Sequence, residues 1–170
     1  MARVGATRRF AGALGPTVNS ATVRSAVRSD LADLLLLYRA LNSNDSSLVA
    51  SERTEASFDA LLATGISLVV VAERSGQLVS TCTVSVIPNI TRAASPYGLI
   101  EHVVTLPGFE RRGFARAVLS HALHLAWSKG CYKVMLLSGA NRPGAHALYE
   151  SVGFKSGIEV GFVAKPSIDA

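Results

Sequence analysis

Ile100-Glu101-His102-Val103-Val104-Thr105, followed closely by Glu110-Arg111-Arg112-Gly113-Phe114-Ala115-Arg116, is the stretch that decides how this chain folds. The first run is apolar and β-branched, as a central strand requires, and the second opens an amphipathic helix predicted over 113–129. A glycine followed two positions later by a small residue lets the backbone bend tightly, so several N–H groups and the positive helix end can face one anion. Arg111, Arg112 and Arg116 flank the bend with fork-shaped donors that suit a pyrophosphate better than a monovalent anion. Strand, bend and helix together read as a phosphate site.

Working outward, the helix runs into Gly130 and a second buried strand over 131–137, which a right-handed crossover sets parallel to a strand over 99–106. Upstream, residues 22–27 are β-prone. Ser29 or Asp30 can cap a following helix in which Leu31, Leu34, Leu35, Tyr38 and Leu41 share a face. A second helix is expected over 52–64, ended by Gly65. Strands over 68–72 and 78–87 flank the glycine-bearing turn 73–77 and read as a hairpin. Downstream, Pro143 starts a short helix to Val152, and a final pair of strands is expected around 154–165. The order predicts an α/β (α+β) mixed sheet covered by helices, in a single domain over 22–170.

The chain has 170 residues, nearly half of them hydrophobic, enough for one buried core and too few for two ordinary domains. Its net charge of +5 comes from Arg3, Arg8, Arg9, Arg24 and Arg28, all ahead of the first acid, Asp30; the rest balances 12 bases against 12 acids. A basic, disordered tail is therefore read over 1–21. A basic nucleic-acid adaptor is the weaker reading, because the folded body is neutral. The longest apolar run, 34–38, is far short of a membrane span, so no membrane partner is expected. Cys82 and Cys131 lie far apart without metal spacing and read as core residues, which favours the cytoplasm. His121 and His124 have a spacing that metals can use but no third ligand, so no metal is assigned.

These residues resemble the GNAT superfamily of acetyl-CoA-dependent N-acetyltransferases, in element order over 22–165 and in specific motifs over 100–154. Ile100–Val104, the glycine bend, Gly130-Cys131-Tyr132-Lys133-Val134 and Tyr149-Glu150-Ser151-Val152-Gly153-Phe154 are most similar to glucosamine-6-phosphate N-acetyltransferase-like members. The resemblance implies a mixed, mostly antiparallel sheet with a splayed central parallel pair. It implies acetyl-CoA as co-substrate, with Val103 and Val104 paired to the pantetheine arm. The bend Gly113-Phe114-Ala115 would hold the pyrophosphate with Arg111, Arg112 and Arg116, and Asn141 would be a further cofactor contact. Glu110 departs from the family pattern, which has Arg or Gln there; the reading is that it turns away or pairs with Arg112.

By the same resemblance Tyr149 protonates the departing thiolate. Glu101 is the candidate base for a primary amine of a small molecule, an amino sugar phosphate being the leading choice, which attacks the thioester directly in a ternary complex. Strict alternation puts His102 on the opposite face from Glu101, so only one of them can meet the amine unless a bulge intervenes. The acceptor region is expected in 42–51 and 89–96. Protein N-termini or lysines are the alternative acceptors, and a non-catalytic acyl-CoA-binding module is the contrasting class. The C-terminal strands offer an edge for a homodimer.

Overall fold

In the computed structural model, residues 21–42 and 48–166 are described. The tail read over 1–21 lies outside them except for Ala21, as do residues 43–47 of the 42–51 acceptor segment. Five strands and four α-helices follow in the order β1 (Thr22–Ser25), α1 (Leu31–Leu41), α2 (Glu52–Thr64), β2 (Ser67–Arg74), β3 (Gln77–Ile87), β4 (Tyr97–Thr105), α3 (Phe114–Ser128), β5 (Val134–Leu136) and α4 (Pro143–Ser151). The sheet runs β1-β2-β3-β4-β5, antiparallel except for the parallel β4–β5 pair.

Both faces of the sheet are covered, which explains the near-continuous apolar runs in β2 and β3. Val70, Ala72, Cys82, Val84 and Ile100 meet Phe114, Val118, Leu119 and Ala122 of α3 in one core. Val69, Val71, Leu78 and Val104 meet Leu34, Leu37 and Phe58 of α1 and α2 in the other. Cys82 and Cys131 are buried and unpaired, and burial pushes both thiols up, Cys82 most. Among the described residues no helix is long and apolar enough to cross a membrane, and no group of three His, Cys, Asp or Glu is placed to hold a metal.

Asp30 serves the entry to α1 differently from a side-chain N-cap. It accepts from the Val27 amide at 2.7 Å and from Arg24 at 2.6 and 2.9 Å, while Arg24 also donates to Glu73 at 2.7 Å. The Arg24 hydrogen bond leads in holding the Asp30 carboxyl below its usual range, against the opposing effect of burial. A depressed native pKa stabilises the fold above the unfolded-state value, and this contribution is lost as pH falls through the native value. Asp30→Ala should therefore cost about 1–3 kcal/mol at pH 7 and progressively less under acid, as urea melts at a series of pH values would show. Equal losses at pH 7 and under acid would remove the carboxylate from the account.

The expected terminal strand pair is absent from the described residues. After α4 the chain turns through Gly153 and Gly157 and runs to residue 166 without a ladder. Lys133 and Glu159 pair at 3.0 Å, and Gly161 lies against Leu137, so this segment passes beside β5. Ile158, Val160 and Phe162 nevertheless stay exposed, Phe162 at 91 %. A strand needs a partner for its backbone groups, and within the described chain this segment has none.

Candidate active site

β4 outruns β5. Their register covers only Gly98, Leu99 and Ile100 against Val134, Met135 and Leu136, so, among the described residues, 101–105 have no strand neighbour on the β5 side. Leu106 donates to the Val79 carbonyl at 2.9 Å, and in an antiparallel ladder this places Val104 in a bonded pair with Thr81. The Val104 backbone therefore faces β3, where Ser80 also donates to its carbonyl at 2.9 Å. Val103 and Thr105 turn their backbone groups to the open edge, while the Val104 side chain is buried in the α1–α2 core.

A cleft of about 670 Å³ follows that edge, walled by Val103, Val104 and Thr105, by Phe109, Glu110, Arg111, Gly113, Phe114, Ala115 and Arg116, and by Arg142, Leu148 and Tyr149. It unites most of the expected cofactor residues with Tyr149. Arg111 and Gly113 both have left-handed backbones, φ 57° and 87°, and bracket Arg112 in a bend whose N–H groups can converge on an anion. Gly113 is the N-cap of α3 and supplies no capping side chain; the first helical bond runs from Ala117 to Gly113. The amides of Phe114, Ala115 and Arg116 thus lack intrahelical acceptors and open toward the cleft mouth. Phe114 contributes only its backbone, because its ring is core.

Val104, expected to pair with the pantetheine arm, has its backbone taken by β3 instead, and three more expectations land elsewhere. Arg112 stacks over Phe109, 5.7 Å from the ring centroid, and is not a wall residue. Asn141 is exposed in the turn before α4, and the neighbouring Arg142 lines the cleft instead. Glu110, read as turned away or paired with Arg112, is itself a lining residue beside Arg111 and Arg116. The remaining residues fit a CoA: free amides and guanidinium groups at one end, an unpaired strand edge along one side. The Ser138 hydroxyl, just past β5, is also buried without a hydrogen-bond partner. Burial pushes the Tyr149 phenol up, with Arg142 pulling it partly back, so the group stays protonated at neutral pH.

A second pocket of about 390 Å³ adjoins the first through Leu41 and β4, and is lined by Tyr38, Asn42, Ser67, Thr83, Ser85, Glu101 and His102, with Leu48 and Leu61. Both Glu101 and His102 face it. The alternation expected of β4 fails here because the β3–β4 register slips between Thr81 and Thr83, and His102 takes a left-handed φ of 56°. Segment 89–96 is not part of the lining: Asn89 bonds Thr91 and Ser95, and Arg92 lies over Tyr132. Sequence reasoning missed the pocket's Tyr38, Ser67, Thr83 and Ser85; the hydroxyls recurring on one face of β3 were the available signal.

Residues 34–154 match the profile of the acetyltransferase (GNAT) family. The chain belongs to that family. It is 32 % identical over 82 residues to a glucosamine 6-phosphate N-acetyltransferase of Trypanosoma brucei brucei, a stretch that takes in 48 % of this chain and 54 % of that one. The chain thus spans about half the length of this curated relative. Among solved structures it is similar to a protein of Agrobacterium tumefaciens C58 whose name proposes an acetyltransferase, with TM-score 0.80 and 43 % identity over 84 % of this chain and 98 % of that one. An aminoglycoside N-acetyltransferase in complex with CoA shares the fold, with TM-score 0.71 at 18 % identity over 86 % and 95 % of the two chains.

Proposed function

We propose that this protein moves the acetyl group of acetyl-CoA to the primary amine of a small, hydroxyl-rich molecule, an amino sugar or amino sugar phosphate, with both substrates bound. The observation that carries this reading is the continuity of the two pockets along β4: an anion cradle and unpaired strand edge lead directly to a carboxylate-bearing, hydroxyl-lined chamber. Acetyl-CoA would supply the thioester whose carbonyl the amine attacks. Arg111, Arg116 and the amides of 113–116 hold its diphosphate, and Val103 and Thr105 offer the pantetheine arm a strand edge. The Val103 N–H holds the carbonyl oxygen as it gains negative charge, and Tyr149 donates a proton to the departing sulfur. Glu101 meets the acceptor's ammonium, while Ser67, Thr83, Ser85 and Tyr38 suit its hydroxyls. The name of the trypanosomal relative supports the amino sugar class.

Thiol release from acetyl-CoA with glucosamine, glucosamine 6-phosphate, an aminoglycoside, a polyamine and a peptide N-terminus tests the reading. Release with an amino sugar supports it. CoA binding without release on any amine would instead make the chain a regulatory acyl-CoA-binding module, a role that Glu110 among the phosphate-facing arginines favours.

The reading extends to a homodimer joined along the β5 side, where Ile158, Val160 and Phe162 alternate in an exposed row. Light scattering should give twice the chain mass, and Val160→Asp with Phe162→Asp should return the monomer. A monomeric wild type would refute the dimer.

A further inference from the structure

We infer that His102, rather than Glu101, takes the proton from the acceptor's ammonium, and that Glu101 holds that ammonium in place; the inference rests on the acetyl-transfer reading above. The bulge opposite Cys82 is what makes this geometry available. In a regular strand His102 would point into the α3 core, as Ile100 and Val103 on either side of it do. Its left-handed φ of 56° turns it instead onto the face of Glu101, into the acceptor pocket. Few residues with a side chain occupy that backbone region, although histidine, like asparagine and aspartate, enters it more often than most. Such a strained residue at the junction of two substrate pockets points to a working role.

The surroundings fit that role. The His102 ring packs against Tyr38 on α1, with centroids 5.5 Å apart and planes tilted by 59°, which fixes its orientation. Among the described residues, Glu101 on its own strand and Tyr38 on α1 are the titratable groups sharing its pocket; β3 presents Thr83 and Ser85, and α2 presents Leu61. Cys82 faces away, its thiol donating to the Val118 carbonyl at 3.5 Å. His102 also immediately precedes Val103, whose N–H holds the reacting carbonyl, so proton acceptor and carbonyl-holding amide belong to adjacent residues. An imidazole is intrinsically a stronger base than a carboxylate.

The step balances. The ammonium N–H bond breaks with its electron pair left on nitrogen, and the proton bonds to the His102 ring. That pair forms the N–C bond to the acetyl carbon as the C–S bond breaks with its pair on sulfur. Tyr149 protonates the sulfur; the nitrogen's second proton passes through water to restore Tyr149, and His102 releases its proton to solvent. One proton leaves per amide formed.

The test uses His102→Asn and His102→Gly, because both residues accept the left-handed backbone and preserve the bulge. Each should lower kcat/KM at pH 7 by about a hundredfold. The variants' rate should climb more steeply with pH than the wild type's, since they depend on amine already deprotonated in solution. Added imidazole should restore turnover to His102→Gly. Calorimetry should show amine binding retained in His102→Asn and weakened at least about tenfold in Glu101→Gln. An unchanged pH profile in His102→Asn, or no imidazole rescue of an otherwise folded His102→Gly, overturns the assignment while wild-type turnover leaves the acetyl-transfer reading standing. A wild type that turns over no amine overturns both.

Discussion

Tyr149→Phe should bind CoA with unchanged affinity and lose about a hundredfold in kcat, the ordinary contribution of a positioned proton donor. The substitution removes one oxygen and leaves the ring, whose packing against Phe154 at a centroid distance of 6.3 Å holds the C-terminal end of α4. The side chain is half-buried in the cleft wall, and desolvation keeps the phenol protonated. A group that donates only as the C–S bond breaks acts on the transition state alone, so kcat and kcat/KM should fall together with little change in KM. Stopped-flow thiol release beside CoA calorimetry separates the two quantities. Undiminished kcat would mean that water protonates the thiolate and that Tyr149 is packing.

Gly113→Ala should raise the Kd for CoA at least about tenfold, because the φ of 87° at this position costs a side-chain-bearing residue about 1–2 kcal/mol in the backbone that aims the amides. Relief of that strain rotates the bend and disperses the donors. Gly108→Ala is the internal control: its φ of 84° is equally left-handed and an added Cβ would meet nothing within 4 Å, yet it lies outside the cleft wall. Both variants should melt earlier by similar amounts, and only Gly113→Ala should lose CoA. Equal affinities in the two would remove the bend from the binding account.

Legibility in the sequence tracked how local the cause was. The bounds of α2 are Glu52–Thr64, as expected, because its signals are its own: Ser51 accepts from the Thr54 amide at 3.2 Å, and Gly65 ends the helix with a φ of 63°. The hairpin, the crossover and the glycine bend are equally local, and they brought Tyr149, Val103 and the arginine-flanked turn into one cleft. β5 shrank from seven expected residues to Val134–Leu136, because its length depends on how far β4 stays beside it. His102 escaped the alternation rule because the slip that turns it arises from the pairing with β3, which no residue type at 102 announces. The C-terminal strands failed for want of a backbone partner among the described residues.

The shortness of β5 carries a warning for anyone hardening this domain against heat. Extending that strand toward Gly139 would zip up free hydrogen-bonding groups along β4 and raise the melting point, and would also weld shut the slot proposed above for the thioester. Here the missing rungs of the ladder are the doorway.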